Sequence, residues 1–372
     1  MTALYTTEGA AWGDYDGDGF VDLYLASYER PRTEDFDEYG VGFPDILYRN
    51  LGDGTFADVT EEAGVEPPFA EHLSGRGVNW GDYDNDGDPD VFVSNYRLQE
   101  NFLWRNEGDG TFTNSAPGLG VSGTETDGWW GHTIGSEWGD FDNDGDLDLM
   151  CANLAHPRYI EVSDMSMLLE NGGPPDWLFA DRRAETGVKY AETHSDPSWG
   201  DVDADGDLDL FITSIYRNCG SFLYLNDGRG RFRDVTWLAG VRCFNGWGCA
   251  MSDYDNDGDL DIAVGSGSGF RLFRNDGLRG RPSNHWLEVD VRGRGTNSAG
   301  IGARITIESQ RGKQIREIQG GKGTTSQHSL TAHFGLGEDS GPVDVEVRFP
   351  GGGVRSIEDV EVDQRIVIHE SR

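Results

Sequence analysis

Trp80-Gly81-Asp82-Tyr83-Asp84-Asn85-Asp86-Gly87-Asp88-Pro89-Asp90 places five aspartates within nine residues. Its core is a clause, D-x-D-x-D-G-x-x-D, and the chain writes it five times: Asp14–Asp22, Asp82–Asp90, Asp140–Asp148, Asp201–Asp209 and Asp253–Asp261. Without a counter-ion, carboxylates packed this densely only repel one another. A hard cation that accepts about six to eight oxygens at about 2.3–2.6 Å removes the repulsion. Positions 1, 3, 5 and 9 are therefore the expected ligands: Asp14, Asp16, Asp18 and Asp22; Asp82, Asp84, Asp86 and Asp90; Asp140, Asp142, Asp144 and Asp148; Asp201, Asp203, Asp205 and Asp209; Asp253, Asp255, Asp257 and Asp261. Glycine at position 6 supplies the sharp turn. The order matches the start of an EF-hand loop, but position 12, which should be a bidentate Glu, is Leu25, Val93, Cys151, Ile212 or Val264. The flanks alternate with the period of a strand, as in Asp90-Val-Phe-Val-Ser94. The reading is thus about five Ca2+ ions in β-to-β loops. Magnesium demands a tighter octahedron, and zinc would want Cys or His in the clause.

The formal net charge is −37, yet residues 285–372 hold 13 acidic and 11 basic residues, so the charge is concentrated in the repeats. Such a surface excludes nucleic acid, whose phosphates need basic partners, and anionic membranes. No apolar run is long enough to span a bilayer, and no charged-then-apolar leader opens the chain. Four cysteines (Cys151, Cys219, Cys243 and Cys249) are too few for a disulfide scaffold. Cys243 and Cys249 are near enough in sequence to pair, or are two small buried thiols.

The clause belongs to a longer unit. An aromatic-Gly pair precedes four copies: Trp12-Gly13, Trp80-Gly81, Trp138-Gly139 and Trp199-Gly200; the fifth has Met251-Ser252. A second short strand ends in Asn50, Asn106, Asn171, Asn226 or Asn275, then a Gly/Asp turn leads into a Phe-led strand at Phe56, Phe112, Phe179 or Phe232. Four short strands per unit at a near-constant period predict an all-β calcium-binding β-propeller over residues 1–280, with five blades, or seven if other segments contribute. The fifth unit lacks its Phe-led strand, which leaves Trp286–Asp290 or an N-terminal segment to complete it. Beyond the Gly- and Pro-containing linker 275–284, alternating strands predict a small β-sandwich-like domain over residues 285–372.

On Trp-Gly-Asp-x-Asp-x-Asp-Gly and Asn-x-Gly-Asp-Gly-Thr-Phe, the first part resembles the FG-GAP/VCBS repeat family, also seen in integrin α-chain propellers; this resemblance implies calcium in the loops. The C-terminal part is similar to the ASPIC/UnbV domain through Asn297-x-x-Gly-Ile-Gly-Ala-Arg304, His333-Phe-Gly-Leu-Gly337 and Val345-Glu-Val-Arg-Phe-Pro-Gly351. Phe349-Pro-Gly-Gly352 departs from the family's more frequent Trp-Pro-Ser-Gly. The combination resembles the cartilage acidic protein family and its bacterial UnbV-type relatives, although the chain is shorter and no Cys-rich EGF-like module follows. That resemblance, with the calcium loops, implies an extracellular or periplasmic setting; with no leader in the sequence, a cytoplasmic one stays open.

Candidate chemistry lies where the repeats differ. His72, His132 and His194 stand ten, eight and seven residues before their clauses. If they surround a central channel they form an acid/base or metal site; the alternative is scattered loop histidines. Trp129 and Trp130 are candidates to stack on a ligand, or a cap on the core. No nucleophile elbow, P-loop, dinucleotide motif or HExxH is present. His328 and His333 read as structural. Two functions follow: a calcium-stabilised binding module for a protein, carbohydrate or small-molecule partner, or an enzyme or sequestering protein with its site in the channel.

Overall fold

A computed structural model describes residues 6–28, 43–66, 74–155, 161–277 and 284–370. Among them the chain is all-β apart from three one-turn helices, Thr60–Ala63, Ala116–Leu119 and Thr236–Ala239. Five antiparallel sheets follow one another, the first four with four strands in chain order and the fifth with three. The innermost strands are Thr7–Gly13, Gly75–Gly81, Thr133–Gly139, His194–Gly200 and Gly246–Ser252, each lying beside the next. Each second strand starts on the last aspartate of a clause, so that Gly13 pairs with Asp22, Gly81 with Asp90, Gly139 with Asp148, Gly200 with Asp209 and Ser252 with Asp261. The clause is therefore the hairpin loop between the first two strands of its sheet. The helical turns end at Ala63-Gly64-Val65, Leu119-Gly120-Val121 and Ala239-Gly240-Val241, whose glycines lie in the left-handed region.

The period-2 pattern has a definite destination. Val91 and Val93 pack into the core shared with the first sheet, and Phe92 into the core shared with the third. Leu149 and Cys151 face the second sheet, Met150 and Ala152 the fourth. Phe211 continues the series toward Cys249, Met251, Ile262 and Val264 of the fifth sheet. Alternation here separates two cores, one on each face, instead of core from solvent, which is why these strands are buried along their whole length. Sheets stacked face to face in this order make the fold propeller-like.

The junctions between sheets repeat as well. The ring of Trp80 lies against Gly13, Trp138 against Gly81, Trp199 against Gly139 and Met251 against Gly200, at distances that leave no room for a Cβ. The strand-ending asparagines bind the sheets together: Asn106 Nδ2 donates to Tyr15 O, Asn171 to Tyr83 O, Asn226 to Phe141 O and Asn275 to Val202 O, at 2.7–2.9 Å. Among the described residues, the seam between the fifth and first sheets lacks both devices. Ser252 replaces glycine there, Asn50 Nδ2 donates to Val21 O of its own sheet, and Trp12 is 37% exposed where Trp80, Trp138 and Trp199 are buried.

Two expectations need correction. The fifth sheet stays three-stranded among the described residues. Trp286–Asp290 does not complete it; it lies in His285–Arg292, which pairs with Thr331–Gly337 and, in parallel, with Gln364–His369. That sheet and a second one (Gly312–Glu317, Arg304–Ser309, Val343–Arg348, Val354–Val360) enclose one core of aliphatic residues and Phe334, the sandwich expected for the C-terminal part. The four cysteines are free thiols, so Cys243 and Cys249 are not paired.

The other correction concerns the centre. A C-terminal segment, residues 318–329, runs along all five inner strands. Trp12 N donates to Gly320 O (2.9 Å), Val78 N to Gly323 O (3.0 Å), Thr324 Oγ1 to Ile134 O (2.5 Å), Lys322 Nζ to Pro197 O, and Ser329 N to Met251 O (3.3 Å). Inner-strand edges that face one another across a channel leave N–H and C=O groups unpaired; here the chain's own segment satisfies them and bridges the first and fifth sheets.

Candidate metal centres

Each clause is held in shape before any ion is considered. The position-6 glycine N–H donates to Oδ2 of the position-1 aspartate: Gly19 to Asp14, Gly87 to Asp82, Gly145 to Asp140, Gly206 to Asp201 and Gly258 to Asp253, all at 2.8–3.1 Å. These glycines have φ between 87° and 103°, and the position-4 residues Gly17, Asn85, Asn143, Ala204 and Asn256 are left-handed too. The position-5 aspartate accepts from the N–H two residues on, as Asp86 Oδ1 does from Asp88 (2.9 Å). The position-9 aspartate accepts twice from backbone. Asp90 takes Tyr83 N on Oδ2 (3.3 Å) and Asn106 N on Oδ1 (2.8 Å), and Asp22, Asp148, Asp209 and Asp261 repeat this.

What remains converges. One ligand oxygen from each of Asp82, Asp84 and Asp90 lies within 4.8 Å of the others, and so for Asp140, Asp142 and Asp148, for Asp201, Asp203 and Asp209, and for Asp253, Asp255 and Asp261; in the first loop the group is Asp14, Asp16 and Asp18. Asp22, Asp86, Asp144, Asp205 and Asp257 fall outside these groups. Oxygens on opposite sides of one Ca2+ are separated by about twice the 2.3–2.6 Å bond, so the spacing fits. Oδ1 of Asp14, Asp82, Asp84 and Asp203 is buried with no hydrogen-bond partner, a costly state that a cation relieves. Burial, with neighbouring carboxylates adding to it, pushes Asp22 and Asp201 up to about 8 and Asp14 to about 6, and holds Asp90, Asp148 and Asp209 well above the ordinary range. The residues therefore fit a divalent hard cation.

The C-terminal sheets lean on this face. Arg304 donates to Asp82 O (2.5 Å) and to Asn85, and Arg348 pairs with Asp82 Oδ2. His333 Nε2 meets Gly258 O at 2.9 Å.

Matches to known proteins follow this geometry. FG-GAP-like repeats are matched at residues 14–93, 82–151 and 201–264, and ASPIC and UnbV at 293–372. The chain belongs to the FG-GAP-like repeat family. It is similar to cartilage acidic protein 1: the Homo sapiens protein is 28% identical over 376 residues, covering 95% of this chain and 51% of that one, and the Mus musculus protein 28% over 401 residues, covering 99% and 55%. The chain spans about half the length of these curated relatives. An exotype rhamnogalacturonan lyase YesX overlaps 95% of this chain and 65% of its own at 14% identity and a TM-score of 0.39.

The residues outside the FG-GAP clauses end up in different places. His72 lies outside the described residues. His132 bonds Ser163 Oγ through Nδ1 (3.1 Å) and sits edge-on to Tyr96; His194 bonds Ser166 Oγ (2.9 Å) and sits edge-on to Phe222. Each ring is buried in its own group of partners, and residues 318–329 lie along the inner strands that would line a channel, so no described contact brings the two imidazoles together there. Trp129 is exposed at the tip of a turn closed by Thr126, and Trp130 is half-buried, its N–H on Leu98 O. Sequence reasoning passed over Glu137 and Asp196, buried acids on inner strands, and Lys322, which meets both. Their only signal in the sequence is an acid one or three residues before a Trp-Gly pair and a lysine between glycines, too common to single out.

Proposed function

We propose that the five clauses bind calcium through the carboxylates of positions 1, 3, 5 and 9, and that the protein is a calcium-stabilised interaction module. Its setting is extracellular or periplasmic, where free calcium is high. The carboxylate oxygens gathered within 4.8 Å in every clause, with buried unpartnered Oδ1 atoms at Asp14, Asp82, Asp84 and Asp203, are the observation that carries the reading. The ions have a structural role: each fixes a hairpin whose position-9 aspartate also anchors the third strand. A protein partner engages the rim away from the C-terminal sheets. That rim's support is the aromatic exposure at the strand ends opposite the clauses, where Tyr216 and Trp247 are 42% and 39% exposed. There Arg76 lies 4.9 Å from the Tyr96 ring centroid and 5.8 Å from that of Trp247.

Calorimetric titration of chelator-stripped protein tests the proposal. About five calcium equivalents are expected for the wild type, and one fewer for Asp84→Ala. No heat with calcium removes the metal reading; loss of all binding in Asp84→Ala removes the independence of the sites.

A further inference from the structure

Lys322 is the most deeply buried cation among the described residues' ion pairs, with its side chain 1% exposed. Its Nζ lies 3.2 Å from Asp196 Oδ2 and 3.3 Å from Glu137 Oε2, and those side chains are 0% and 4% exposed. Lys322 Nζ also donates to Pro197 O, which fixes the ammonium against the fourth sheet. Gly323 makes the approach possible: a Cβ there would collide with Asp196 Oδ1. That Oδ1 forms no hydrogen bond of normal geometry although it is buried, whereas Oδ2 accepts Cys249 N at 3.0 Å. Glu137 in turn meets His328 Nε2 at 2.8 Å and Trp199 N at 3.3 Å.

A buried amine, a buried carboxyl and a second carboxylate in contact with the amine are the components of an amide condensation. We propose that Lys322 and Asp196 join in an intramolecular isopeptide bond, with Glu137 carrying the proton, so that the channel segment is covalently tied to the fourth sheet. Burial raises Asp196 toward its acid form, while Lys322 and His328 outweigh burial at Glu137 and hold it low; Asp196 and Glu137 in turn hold the Lys322 ammonium charged, so the step has to begin with proton transfer inside this triad. Glu137 takes a proton from the Lys322 ammonium. The free amine then attacks Asp196 Cγ, forming the N–C bond, and the developing oxyanion on Oδ2 faces the Cys249 N–H. The C–Oδ1 bond breaks and that oxygen leaves as water. Ammonium, carboxylate and carboxylic acid become carboxylic acid (on Glu137), amide and water; atoms and charge balance with no further reagent. The oxygen that leaves is the one without a partner, and the burial that makes the pair meet also keeps bulk water from reversing the bond.

The test is the mass of the intact full-length chain after denaturation and reduction, followed by peptide mapping. The expected chain is lighter than its sequence by one water, and digestion yields a branched peptide joining the Asp196 and Lys322 segments. Asp-Gly dehydration gives the same deficit without a branch, so the branched peptide is decisive. Lys322→Arg, which keeps the charge, is expected at full sequence mass in every peptide of the pair. Glu137→Gln is expected to remain uncross-linked while folded by circular dichroism; a branched peptide in that variant overturns the role given to Glu137. A wild-type chain whose Lys322 ε-amine is acetylated after unfolding, with both peptides recovered unlinked, overturns the proposal and leaves a plain buried ion pair.

Discussion

Asn106 shows how much one repeated side chain does. Its Nδ2 donates to Tyr15 O of the preceding clause (2.8 Å) and to Pro89 O of its own (3.2 Å), while its backbone N–H holds Asp90. Asn106→Ala leaves two buried carbonyls unpaired, so a loss of about 2–3 kcal/mol is expected by urea unfolding. Asn50 has only the bond within its own sheet, and Asn50→Ala should cost about 1 kcal/mol. Equal losses would end the inter-sheet role. His194 makes a prediction about acid. Burial holds its pKa down to about 3, against 6.5 for a free ring. Below pH 6.5 the unfolded chain takes a proton that the folded chain refuses, so stability falls from about pH 6.5 toward pH 3, by up to about 1.4 kcal/mol per unit. His194→Asn should remove this component; parallel stability profiles for wild type and variant between pH 6 and 4 would contradict it.

At the scale of the elements, the Trp-Gly pair is a packing rule between neighbours. The Trp of one sheet lies on the Gly of the sheet before it, and this explains why the fifth copy departs from the pattern. Met251 still covers Gly200, while position 252, at the seam that lacks a Trp-Gly contact among the described residues, carries serine. Gly139→Ala puts a Cβ 2.7 Å from Trp199 Cδ1. It should destabilise by about 1–3 kcal/mol through overpacking. Ser252→Ala should stay within about 0.5 kcal/mol, as a residue outside any such contact. Thermal melts of the two variants compare them directly, and matching shifts would remove the rule.

For the whole molecule, the array of sheets is held at its loops, at its seams and along its centre. Any ion bound only by the folded chain stabilises it by about 2.7 kcal/mol per site at 100 times its dissociation constant. EDTA should therefore lower the melting temperature strongly, and calcium should restore it; an unchanged melt would exclude a structural ion. The C-terminal sheets belong to the same assembly, since Arg304 and Arg348 reach the second clause and residues 318–329 reach every inner strand.

The clause with its invariant internal spacing, the strand period after it and the Asn-ended strand are local patterns, and local patterns are enough to locate the hairpins and the carboxylates that gather in them. Most sandwich strands were legible for the same reason, but Thr331–Gly337 and Val354–Val360 were not; the latter is an exposed edge strand with no apolar alternation to betray it. Residues distant in sequence meet only in the tertiary structure. Sequence alone determined the repeats and their Asp-rich hairpin loops, because each depends on neighbours a few positions away. Only the tertiary structure decided that His132 and His194 go into separate packing sites, that the fifth sheet has three strands among the described residues, and that Lys322 meets Glu137 and Asp196. The Lys322 pairs join residues more than a hundred positions apart, and the His132 and His194 hydrogen bonds span 31 and 28 residues, separations that no local period encodes.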